Sequence, residues 1–210
     1  MDLLVKTTVV AVILAVVAVA AIALAYHPQK AQLTQGAAEQ TVMSDLKANN
    51  PNASIQIVNV SPSRLENDSW QIIVSITYNA TKPCPTLFIE GFDYPATGLS
   101  PTVDNLYTRN CTVYGISTAP SYVISSPEIA IVESYEASGV AAKGYVSEWG
   151  YANTNVNATF HPELNASVTP MNRSFANIWL VNYSASNAGY DYYVALSQSG
   201  SIVGNYTLKK

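Results

Sequence analysis

Trp70-Gln71-Ile72-Ile73-Val74-Ser75-Ile76-Thr77-Tyr78 is the stretch on which the fold turns. Trp70, Ile72, Val74, Ile76 and Tyr78 alternate with Gln71, Ser75 and Thr77, the period of two that gives a strand one buried and one wet face. Upstream, residues 55–60 are short and β-branched and read as a strand, with a Pro- and Asn-bearing turn over residues 61–69. Further back, residues 29–48 read as a helix with Ala38, Val42, Met43 and Leu46 on one side, begun by Pro28 and ended by Asn49-Asn50-Pro51. Downstream, residues 86–92 read as a third strand, followed by a loop over residues 94–109 that carries Pro95, Gly98 and Pro101.

A similar order recurs in the second half. Ser125 and Glu128 stand at capping-box spacing with Pro127 in the first turn, so a helix is expected through Ile129, Val132 and Tyr135 to a C-cap at Gly139. A strand follows near residues 145–151, and the polar residues 152–173 read as a long loop with three glycosylation sequons. Trp179, Val181 and Tyr183 alternate in a further strand, and Tyr192, Val194 and Leu196 lead through Gln198-Ser199-Gly200 into a closing hairpin. Helix followed by three or four antiparallel strands, twice over, predicts an α+β ectodomain with helices packed on antiparallel sheet. Two modules, residues 28–118 and 119–210, and one merged sheet both satisfy this order.

The second half resembles the PepSY family of small extracytoplasmic α+β modules. The likeness is carried by Ser125-Ser126-Pro127-Glu128-Ile129-Ala130 at the helix start and by Tyr192-Tyr193-Val194-Ala195-Leu196-Ser197-Gln198-Ser199-Gly200-Ser201-Ile202-Val203 at the hairpin. It departs from the family's pattern in having Ser197-Gln198-Ser199 where an acidic residue usually precedes the turn Gly. The resemblance implies a protein-binding or peptidase-regulating module without catalytic residues.

The N-terminus sets the compartment. Residues 9–26 contain no charged side chain and are apolar on every face, long enough with Leu3, Leu4 and Val5 to span about 30 Å of hydrocarbon. Residues 1–27 therefore read as a transmembrane anchor contacting lipid through residues 3–26. Ala23-Leu24-Ala25 also fits a signal-peptidase site, so cleavage stays open. Ten of the seventeen asparagines stand in Asn-x-Ser/Thr sequons, whereas chance gives about three. Asn52, Asn67, Asn79, Asn110, Asn157, Asn165, Asn172, Asn182 and Asn205 are the candidate glycosylation sites. Asn59 is set aside because it falls inside an expected strand. The expected location is the cell membrane, single-pass, with the C-terminal part outside the cytoplasm.

Charged residues make up only 11% of the chain and the net charge is −4, against roughly a quarter charged in ordinary globular domains. The Lys and Arg residues are scattered singly, so no basic groove for nucleic acid is expected. Cys84 and Cys111, both beyond the apolar segment, are expected to form a disulfide in an oxidising compartment.

Catalytic motifs are absent from the sequence, and no cofactor or metal site is expected. The two histidines are His27, beside the apolar segment, and His161 in Thr159-Phe160-His161-Pro162-Glu163. Glu133 and Glu136, and Glu90 and Asp93, read as solvated carboxylates. Fourteen tyrosines fit either a recognition surface or ordinary sheet packing. The leading expectation is a non-enzymatic, membrane-anchored envelope protein that binds a protein or peptide, or serves a structural role. One alternative is a type IV pilin-like filament subunit, although Lys6 is followed by Thr7 and Thr8 where prepilin processing wants Gly or Ala. The other is a surface-polymer hydrolase using His161 and Glu163 as acid and base.

Overall fold

The structure, a computed structural model, describes residues 33–114, 123–165, 170–171 and 173–210. Among them, five strands follow one another in sheet order: β1 (Ala53–Pro62), β2 (Trp70–Tyr78), β3 (Thr86–Tyr94), β4 (Val103–Arg109) and β5 (Thr112–Val113). A second sheet runs β6 (Thr154–Leu164), β7 (Phe175–Ala185), β8 (Tyr190–Ser197) and β9 (Ile202–Lys209). Every pairing is antiparallel between sequence neighbours. Three helices accompany them: α1 (Gln35–Asn49) ahead of the first sheet, and α2 (Pro127–Glu136) and α3 (Ala142–Trp149) between the sheets in the chain.

This corrects the expected α+β class. Nine strands in two antiparallel sheets against three helices of 15, 10 and 8 residues make the described part mostly β. Among the described residues no helix is long and apolar enough to cross a membrane, and the expected anchor over residues 1–27 lies outside them.

The Trp70–Tyr78 strand stands as its alternation requires, with Ile72, Val74 and Ile76 buried. Three other segments differ from their sequence reading. Residues 145–151 are not a strand: Ala142, Tyr145, Val146 and Trp149 recur at helical spacing, and α3 turns the first three into the core. Nor are residues 152–173 one long loop. Thr154, Val156 and Ala158 are buried in alternation with exposed Asn155, Asn157 and Thr159, a strand pattern masked by small and polar residues. Residues 94–109 likewise end in β4, whose Tyr107 packs against the main core. The cap of α2 sits one residue later than expected. Ser126 accepts from the Ile129 N–H at 3.3 Å, and the helix ends at Ala137, with Gly139 taking φ +83° in the turn beyond.

The helices and sheets are layered by strand alternation. The Tyr78 hydroxyl donates to Asn50, at the end of α1, while the adjacent Thr77, on the other face, donates to Glu128 of α2. Accordingly α1 buries Ala38, Val42 and Leu46 against one face of the first sheet, and α2 covers the opposite face. Ile129, Ala130, Ile131 and Val132 of α2 are consecutive and all buried, as a helix enclosed between two sheets must be. Its other partners are Val156, Val181, Tyr183, Val194 and Leu196 of the second sheet. Each such side chain contributes about 1.5–3 kcal/mol by leaving water. The Val156 N–H donates to the Thr81 carbonyl at 2.7 Å, and Lys82 Nζ donates to the Ala152 carbonyl at 2.7 Å, tying the β2–β3 turn to β6. Gln35–Lys210 thus packs as one compact unit.

A groove at the start of the second helix as candidate binding site

Where α2 begins, it meets the first sheet on one side and the edge strand β6 on the other, leaving a groove with two arms. The cavities are about 520 and 390 Å³, and Gln56, Pro127 and Glu128 line both. Register explains the polar arm. Ser54 and Gln56 pair with Thr77 and Ser75, so their side chains share the face on which Glu128 is held. Thr81 of the β2–β3 turn, Asn155 and Asn157 of β6, and Asn182 and Ser184 of β7 complete it. The second arm is mainly apolar, with Val58, Leu87, Ile89, Tyr107, Pro127 and Ile129 beside Ser75, Ser125 and Ser126.

Among the described residues Glu128 is the one charged side chain lining either arm, and its Oε1 accepts from Thr77 Oγ1 at 3.2 Å. The Asn182 Oδ1 is buried without a hydrogen-bond partner and belongs to the polar arm. The groove therefore offers amides and hydroxyls that donate and accept, with one carboxylate, in one arm and mainly aliphatic and aromatic surface in the other. Among the described residues no histidine, cysteine or second carboxylate lines it. In sequence Glu128 reads as a capping residue. Nothing in the sequence marks Gln56, Thr77 or Thr81 as neighbours of Glu128, because they converge only through sheet register and the placement of α2.

The residues singled out from sequence fall elsewhere for the most part. Cys84 and Cys111 are joined in a disulfide with Cα atoms 4.7 Å apart. Asn52, Asn67, Asn79, Asn110, Asn157, Asn165 and Asn205 are exposed, as is Asn59 on β1. Asn182 is half-buried on the interior strand β7, and Asn172 lies outside the described residues. His161 and Glu163 stand on β6, opposite Ile178 and Ala176, and neither lines the groove.

The carboxylates divide. Glu136 pairs with Lys143 at 2.7 Å on the surface. Asp93, read as solvated, is instead buried, accepting from Ser63 Oγ at 2.5 Å and Thr102 Oγ1 at 2.8 Å, so it pins two loops. Glu90 faces Asp104 across β3 and β4, and partial burial followed by that like charge raises its pKa.

Tyr145, Tyr183 and Tyr192 are buried in the main core. The Tyr183 and Ser134 hydroxyls lie 2.6 Å apart, Tyr192 accepts from the Ala141 N–H, and Tyr145 donates to the Tyr190 carbonyl while accepting from the Ala185 N–H. Burial raises the pKa of all three phenols. Tyr193 and Tyr206 stack with centroids 4.9 Å apart, half-buried on the sheet face opposite that core.

No protein-family model, curated protein or solved structure matches this chain.

Proposed function

We propose that the chain is a non-enzymatic binding protein, held outside the cytoplasm by its N-terminal apolar segment, that takes an extended peptide segment of a partner protein into the groove at α2. The carrying observation is the division of that groove into a mainly apolar arm and an arm rich in amides and hydroxyls around the charge of Glu128. An extended chain presents backbone N–H donors and alternating side chains, which suits such a surface. Glu128 favours a segment with a basic or amide side chain at the junction, and the apolar arm favours an aliphatic or aromatic neighbour. The disulfide and the exposed sequons support the extracytoplasmic location. His161 and Glu163, though on the same strand as Asn157 and Ala158, are not part of the groove lining, which favours binding over hydrolysis.

A photo-crosslinking residue placed at Gln56 or Ile89 of the full chain tests this, with the adduct identified by mass spectrometry in intact membranes. One partner segment captured at both positions and lost on Glu128→Lys is the expected result. Capture that ignores Glu128→Lys, or no adduct at either position, overturns the reading.

A further inference from the structure

We infer that N-linked glycans on Asn59, Asn110 and Asn205 guard the open strand edges at β1, β5 and β9, and that the interior sequon at Asn182 carries none; this rests on the extracytoplasmic location proposed above. The outermost strands are β1 and β5 of the first sheet and β6 and β9 of the second. An outermost strand presents unpaired N–H and C=O groups to any other strand that approaches, and proteins ordinarily blunt such edges with charge, Pro, bulges or shortness.

Charge is scarce at these edges. β1 and β5 have no charged residue and β9 has Lys209 at its last position, whereas the outer edge of β6 is covered by the β2–β3 turn through the Val156 N–H bond to Thr81 and through Lys82. Apolar side chains stand open there instead: Ile57 (36% exposed) and Val58 (59%) on β1, Val203 (36%) and Leu208 (40%) on β9. The bulges of β1 and β9, Pro62 of β1, and the two-residue length of β5 are partial protection.

Three sequons fall on or beside these edges. Asn59 adjoins Val58, Asn205 lies between Val203 and Leu208, and Asn110 is in the turn leading into β5. All three asparagines are exposed. β2, β3, β4 and β8 contain no sequon. Asn182 on β7 is flanked in register by Asn157 and Tyr193, and its Oδ1 is buried, so its amide is poorly presented for transfer. Modification joins the Asn Nδ2 to the anomeric carbon of a lipid-phosphate-activated glycan. The C–N bond forms, the C–O bond to phosphate breaks with its electron pair leaving on the lipid phosphate, and the amide gives up one proton to base. A branched glycan fills far more than the roughly 4.8 Å that an added strand needs.

Peptide mass spectrometry of the full chain, purified from cells that glycosylate it, should find the three edge sites occupied and Asn182 bare. An edge variant, N59Q/N110Q/N205Q, should at least double its apparent mass by light scattering relative to the unaltered chain. A turn variant, N52Q/N67Q/N79Q/N165Q, should not. Should the edge variant fail to fold, enzymatic removal of glycans from the folded chain supplies the same comparison. Modified Asn182, or bare edge sites beside occupied turn sites, overturns the assignment. Unchanged mass after the edge glycans are removed overturns the guarding role. No modification at any sequon removes the glycan proposal together with the sequon support for an extracytoplasmic location, whereas the peptide groove answers to its own crosslinking test.

Discussion

Replacing Cys84 and Cys111 together by Ala removes a covalent tie without leaving a reactive thiol. Cys84 stands just before β3 and Cys111 in the β4–β5 turn, at a sequence separation of 27. In the loop-entropy relation a closed loop of that length loses about 12 cal/mol/K in the unfolded chain, or about 3.5 kcal/mol at 25 °C. Both cysteines are half-buried, so the packing lost on truncation is small beside that figure. With a urea m-value of about 2 kcal/mol/M, the unfolding midpoint should fall by roughly 1.5–2 M. Fluorescence of variants retaining only Trp70 of β2 or only Trp179 of β7 reports the two sheets separately. Because α2 is enclosed by both, the two midpoints should fall together. A fall under about 0.5 M would refute the loop-closure estimate. A Trp179 midpoint left at its original value while that of Trp70 drops would refute the coupling of the sheets through α2.

Gly91→Ala should destabilise the first sheet by about 1–3 kcal/mol in urea titration, since an added Cβ meets Ile73 Cδ1 at 2.9 Å and Val103 Cβ at 3.2 Å on the flanking strands. Asp93→Ala should cost about 3 kcal/mol and speed proteolysis of the 62–69 and 95–102 loops, which its carboxylate holds through Ser63 and Thr102; unchanged cleavage would remove that role. Stability should fall as pH rises above about 10, the ordinary phenol value. In that range the unfolded chain releases phenolic protons that buried Tyr183 still holds, so folding is opposed by each further unit of pH. Tyr183→Phe should make the decline of the urea midpoint between pH 10 and 12 shallower, and an unchanged slope would show that Tyr183 is not its source.

Legibility in the sequence followed how much of the pattern was written in strongly apolar side chains. The alternation of β2, the hairpin around Gly200 and the termination of α1 near Asn49 need only neighbouring residues, because strand pleat, turn chemistry and helix ending are local. The Cys84–Cys111 pairing was legible for a different reason, since two cysteines have one possible intramolecular partner each. β6 escaped notice because its buried face is Thr154, Val156 and Ala158, small residues whose alternation with Asn reads as polar loop. α3 escaped because Tyr, Val and Trp favour strands, and packing of Tyr145 and Val146 in the core outweighed that preference. The mostly β class and the groove were decided only in three dimensions. Placing α2 between two sheets brings Gln56, Glu128 and Asn182 within one groove across more than 120 positions of chain, a convergence set by register and non-local packing that no run of neighbouring residues encodes.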